Sequence, residues 1–331
     1  MKSRLKFWLK YALALIFHYS GYNYFCFKIL KRNYIIMLHR ISDKSDVLSI
    51  SIKERNLVSA ITWCNKLGPI TSIGEVATTN RANNLFAFTF DDGYASVEKI
   101  LDLPVKAPMT VYLSTGFIGT ERNFWATYIE ELLLTPDIRH IDLNDFDLGS
   151  YDLKCMRQRR QAITTLNNRI KQRHPSAIEE LMQYLEVEFS AYTKTESNFL
   201  TWQQVKQLSK AGITIGSHTH NHAITSKISR QEFESELRQS NELIEQHIGT
   251  RAVHFAYPNG QKCDIAEFCP QVLADAGFLS AVTTIEGANA AACDPYLLKR
   301  FNLTDKRMEN PLGKPSLAMF TTMLNNPLGI H

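Results

Sequence analysis

Seven short apolar runs constrain the fold of this chain more than any other feature. They cover residues 34–39, 85–90, 109–114, 213–217, 253–257, 279–284 and 297–303, and most are continuous, without clean alternation. A strand that is apolar at consecutive positions must be covered on both faces. That is the environment of a parallel sheet or a closed barrel. Helical patterns fill the gaps. Glu54–Leu67 carries apolar residues at helical spacing, and 202–211 reads as a helix capped by Thr201 and stopped by Gly212. A longer helix starts after Ser229, with Glu232 at the capping-box spacing and Gly249 at its end. Strands alternating with helices predict an α/β fold.

The stretch 125–200 breaks this rhythm. It is charged, poor in strand-like runs and helical over 157–173 and 177–189, so it is expected to be a helical insertion in one connection. Its basic residues Arg157, Arg159, Arg160, Arg169, Lys171 and Arg173 read as a solvated helix face, with a grip on an acidic glycan or lipid phosphate as the functional reading. The barrel itself is expected over 33–310, with a C-terminal tail at 311–331. Residues 1–32 read as a basic, aromatic-rich amphipathic helix region. Its apolar run is too short to span a membrane. Such a helix either packs on the barrel or lies on a membrane surface.

Net charge bounds the partners. A formal +4 over 331 residues lacks the concentrated basic stripe of a dedicated nucleic-acid binder. Six scattered cysteines contain no CxxC pair, which argues against a thiolate zinc site and for reduced, mostly core thiols. With no small-residue cleavage site after the N-terminal run, the chain is expected in the cytoplasm, peripheral to the inner face of the membrane.

Two motifs carry chemistry. In FAFTFDDG, an apolar strand runs into Asp91, Asp92 and Gly93. Two adjacent carboxylates at a strand end repel and raise one pKa unless a cation compensates; a plain surface turn is the competing reading. In GSHTHNH, His218, His220 and His222 follow an apolar run directly. Imidazoles suit zinc, cobalt, nickel or iron, and two of them with one carboxylate leave an open position for water.

Together, TFDDG and the downstream HxxxH resemble the motifs of the polysaccharide deacetylases, the NodB-homology group of carbohydrate esterases. FAYPNG at 255–260, GFLSAVTT at 277–284 and MLHRI at 37–41 are similar to further motifs of that family. The resemblance implies a distorted (β/α)7 barrel, in agreement with the seven runs. It implies a hydrolase that removes N-acetyl groups from amino sugars of a polysaccharide or glycan precursor in surface glycan assembly, such as capsule or lipopolysaccharide. Carried over by position, it makes Asp91 the catalytic base and Asp92, His218 and His222 the ligands of a divalent metal, most often zinc. His220 falls at a variable position. Asn259, after the proline, and Tyr257, before it, fall on the oxyanion side.

Two departures stand out. The arginine that often precedes this proline by two residues is Ala256 here, and the last run, LLKRFNL, lacks the family's acidic histidine. Arg300 and His39 are the candidates for the vacated roles. Arginine does not readily give up a proton, so Arg300 is expected to hold Asp91 or the intermediate. His39 ends the first run, where barrel chemistry gathers. The alternatives are a metal-binding barrel that recognises glycan without turnover, and removal of another acyl group such as formyl.

Overall fold

The computed structural model describes residues 2–44, 46–192 and 198–325. Seven parallel strands close a barrel in chain order: β1 Tyr34–Leu38, β2 Phe86–Phe90, β3 Met109–Leu113, β4 Thr214–Ser217, β5 His254–Ala256, β6 Ser280–Glu286 and β7 Leu298–Asn302. The barrel shuts where β7 pairs with β1, with Ile36 opposite Phe301. Every residue of β1, β2 and β3 is buried, which accounts for the missing alternation in the sequence. Phe86, Phe88 and Phe90 point outward into the core shared with the helices. Ala87 points inward with Ile35, Tyr112, Ala256, Val282 and Leu298. Ile73 and Val76 of the short helix Ile73–Thr78 join this interior cluster.

His254 opens β5 as a buried polar group, paired through Nδ1 with the Ser280 hydroxyl at 2.8 Å. Burial disfavours its charged form and lowers its pKa to about 4. A depressed histidine contributes stability that is full above the unfolded value near 6.5 and is lost as pH falls towards 4. The loss amounts to about 3 kcal/mol at the acid end. Denaturant titrations at pH 7 and pH 5 should therefore differ less for His254→Gln than for the parent chain. Equal pH dependence would mean that His254 is not the titrating group.

The 125–200 insertion holds three helices, Trp125–Leu134, Met156–Ile170 and Pro175–Glu188. It also holds an antiparallel pair the sequence did not announce, His140–Leu143 with Gly149–Asp152. These strands are four residues long and bury at most alternate side chains, so they carry little apolar signal. The basic residues match the expected solvated face in part: Arg157, Arg160 and Arg169 are exposed, whereas Arg159 is not. Arg159 is buried and donates to the carbonyls of Leu133, Thr135, Pro136 and Ile138, satisfying the end of the preceding helix. Arg169 donates to Leu148 and Asp147, and Arg173 to Phe146.

At the N-terminus, helix Lys2–Tyr19 packs Phe7, Tyr11, Ala14 and Leu15 against Ala318 and Met319. The latter belong to helix Leu317–Asn325, which lies within the stretch read as a tail; residues 326–331 of that stretch lie outside the described residues. Asn23 of the second helix, Tyr22–Leu30, donates to the Thr321 and Thr322 hydroxyls. Among the described residues no helix is long and apolar enough to cross a membrane. All six cysteines are unpaired. Cys26, Cys64 and Cys269 are buried, but Cys155 and Cys263 are exposed, so the thiols are core residues only in part.

Candidate active site

The site lies at the C-terminal ends of the strands, where a cavity of about 920 Å³ is lined by His39, Asp91, Asp92, His218, His222 and Asn259, among others. Local backbone explains how two consecutive carboxylates face one mouth. Ala87, Thr89 and Asp91 share the inward side of β2, so Asp92 would point outward if the strand continued. It does not continue: Asp92 adopts φ 72° and turns back towards the barrel axis. Gly93 follows at φ 84°, where a Cβ would come within 2.8 Å of Ile118 and 2.9 Å of Leu113. His222 and Asn259 also take left-handed φ, 55° and 58°. Three strained non-glycine residues around one cavity mark a place where the fold holds backbone against its preference.

Asp92, His218 and His222 form a buried trio whose ligand atoms all lie within 4.8 Å of one another. His218 Nε2 and His222 Nε2 stand 3.3 and 3.4 Å from Asp92 Oδ1. His218 Nδ1 lies 2.7 Å from the Ala256 carbonyl, which places a proton on Nδ1 and makes Nε2 the atom that faces the trio. Burial works against charge on Asp92, yet hydrogen bonds from His218 and His222 hold its carboxyl well below the usual range. Burial lowers His222, whereas for His218 the Asp92 and Asp91 carboxylates outweigh burial and raise it. Two imidazole nitrogens and a carboxylate oxygen, converged in a dry wall, are a donor set suited to a divalent cation. The loop is held by Glu236, whose carboxylate accepts from the N–H groups of His220 and Asn221 at 2.8 and 2.7 Å. His220 turns away and pairs with the Thr115 hydroxyl.

Asp91 is gripped by Arg300. Nη1 and Nη2 donate to Oδ1 and Oδ2 at 2.7 and 2.6 Å, and both side chains are almost fully buried. Nε donates to the Thr283 carbonyl and Nη1 also to the Thr89 hydroxyl, so the guanidinium is fixed. Burial pushes Asp91 up, but the charge and hydrogen bonds of Arg300 outweigh it and leave the carboxyl below the usual range. The guanidinium thus reaches Asp91 from β7, while Ala256 on β5 is too short to do so. His39, just past β1, lines the cavity, and its Nδ1 is buried with no hydrogen-bond partner among the described residues. The Asn259 N–H likewise has no acceptor among the described residues. Tyr257 does not line the cavity. Its ring packs on Phe255, its N–H is bonded to Val282, and its hydroxyl is buried away from the cavity with no hydrogen-bond partner among the described residues.

Neither the clamp at Glu236 nor the contribution of the insertion has a local signature in the sequence. Asn167, Asn168 and Lys171 line the cavity from helix Met156–Ile170 and the turn after it, and Phe124 and Trp125 line it from the start of the insertion. A polar face on a helix remote in sequence carries no local signal of what it overhangs.

Comparisons with known proteins bear on the fold and the family. A 58-residue stretch, 18% of this chain, is 40% identical to the uncharacterized protein YlxY of Bacillus subtilis and spans only 18% of that protein's length. Among solved structures, the fold is similar to that of the Streptococcus pyogenes deacetylase PplD in complex with acetate, at 17% identity and TM-score 0.52, covering 85% of this chain and 96% of that one. It is also similar to IcaB from Ammonifex degensii, at 15% identity and TM-score 0.53, over 82% and 92% of the two chains. A de-N-acetylase from Aggregatibacter actinomycetemcomitans is matched at 15% identity and TM-score 0.51, over 88% and 100%. At such identities these likenesses speak to the barrel alone. The polysaccharide deacetylase family matches over residues 78–279, a span that contains the acid pair, the histidine motif and the proline loop, and the chain belongs to that family.

Proposed function

We propose that this protein hydrolyses the N-acetyl group of an amino sugar in a glycan or glycan precursor, with a divalent metal held by Asp92, His218 and His222. The observation that carries the reading is the separation of labour between adjacent carboxylates: Asp92 faces two imidazoles, while Asp91 is paired with Arg300. A cation bound by the trio supplies Lewis acidity and lowers the pKa of a water. The remaining work falls to the chain. Asp91, ionised and fixed by Arg300, accepts the proton of the attacking water on a carboxylate oxygen. The unpaired Asn259 N–H donates to the oxygen that gains charge as the carbonyl carbon becomes tetrahedral. His39 gives a proton to the departing amine, after which acetate and the free amino sugar leave. Zinc is the ion the donor set suits best, with cobalt, nickel and iron as substitutes.

Acetate release from N-acetylglucosamine oligomers tests the reading. Release should depend on added zinc or cobalt and stop with chelator. No release from such substrates by metal-loaded protein would favour a barrel that recognises glycan without turnover. Formate release from N-formyl sugars alone would move the assignment to another acyl group.

The role of His39 has its own test. His39→Gln should lower kcat for the sugar amide by about 10²–10³-fold. Hydrolysis of p-nitrophenyl acetate, whose leaving group needs no proton, should be nearly unchanged. An equal loss on both substrates would remove His39 as the acid.

A further inference from the structure

Helix Lys2–Tyr19 is apolar on two adjoining stripes, and the fold uses only one. Phe7, Tyr11, Ala14 and Leu15 face the helix Leu317–Asn325. On the adjoining stripe Leu5, Trp8, Leu9, Ile16 and Tyr19 are each between 53% and 82% exposed. At 3.6 residues per turn these five fall within an arc of about 100°. The following helix, Tyr22–Leu30, adds Tyr24, Phe25 and Ile29, all about 60% exposed or more. An outward stripe this apolar on a globular protein calls for a partner.

Charge identifies the partner. Residues 1–32 contain seven Lys and Arg and no Asp or Glu, whereas the whole chain carries only +4, so the rest is net acidic. Lys6, Lys28, Lys31 and Arg32 are exposed beside the apolar residues. A face with cations and no anions is not complementary to itself, which disfavours a two-fold contact between copies. Apolar and aromatic side chains bordered by lysines are what an anionic lipid surface receives, the rings entering the interface and the ammonium groups meeting headgroups.

The same helix sits beside the active site. It packs on Leu317–Asn325, which packs on the short helix Asp305–Met308. Arg307 of that helix pairs with Glu286 of β6, and both line the cavity. We infer that the exposed face of the two N-terminal helices docks on an anionic phospholipid bilayer and holds the cavity mouth close to glycan attached to a lipid. Only the substrate part of this statement rests on the deacetylase reading; the docking does not.

Co-sedimentation of the full chain with phosphatidylcholine vesicles, with and without about a third phosphatidylglycerol, tests the docking. The chain should pellet with the anionic vesicles and dissociate in high salt, and brominated lipid should quench Trp8. Leu9→Ser/Ile16→Ser/Phe25→Ser changes exposed positions only. It should lower vesicle binding at least about tenfold while keeping the thermal midpoint. A parent chain that stays in the supernatant, or a triple variant that binds as well, overturns the inference. So does a dimer in light scattering that the triple variant dissolves, since a second copy would then cover the face. Acetate release from soluble oligomers, measured without vesicles, reports separately on the deacetylase reading.

Discussion

Asp91→Asn should lower acetate release by about 10³–10⁴-fold while leaving metal content at the level of the parent chain. The substitution removes the proton acceptor but keeps the shape of the side chain. It touches none of the three groups that face one another at Asp92 Oδ1. Asp92→Asn and His218→Ala should behave in the opposite order. They remove a donor from the buried trio, so metal analysis after dialysis should show the ion gone and activity gone with it. Excess zinc should restore part of the activity of Asp92→Asn and none of that of Asp91→Asn. If Asp91→Asn kept its activity, or lost its metal, the division of the two carboxylates would be wrong. Adjacent residues rarely offer so clean a contrast, because ordinarily they lie on opposite sides of a strand. Here the left-handed turn at Asp92 puts them at one mouth with different neighbours.

Much of this was legible in the sequence. Continuous apolar runs gave the strands to within a residue or two, because strands buried on both faces are written in the sequence as mostly apolar at consecutive positions, with an occasional buried Thr. Capping residues gave helix starts equally well: Ser229 with Glu232 and Thr201 with Gln204 both form reciprocal caps. What stayed hidden depends on tertiary placement. Arg159 looks like its neighbours Arg157 and Arg160 in sequence, yet it alone of the three is buried against four carbonyls. Tyr257 sits one residue before the proline, a position that reads as part of the site, but its ring packs on Phe255 instead. Glu236 lies mid-helix on an amphipathic pattern, and nothing local says that its carboxylate holds the histidine loop.

Arg300→Met should destabilise the protein by about 3–5 kcal/mol, because it leaves the Asp91 carboxylate buried without its partner. The pair is shielded from bulk water: both side chains are at most 2% exposed. Arg300→Lys should recover only part of the loss. A single ammonium does not reproduce two parallel bonds to Oδ1 and Oδ2, nor the further bonds to Thr283 and Thr89. The double variant Asp91→Asn/Arg300→Met should be more stable than Arg300→Met alone, since neutralising the acid removes the stranded charge. Denaturant titration of the four proteins gives the coupling directly. A coupling near zero would mean that the guanidinium is held by Thr283 and Thr89 for packing alone. A large coupling together with a fall in kcat for Arg300→Lys would show that β7 supplies the group that fixes the base. Ala256 on β5 then needs no long side chain, and its carbonyl is left to orient His218.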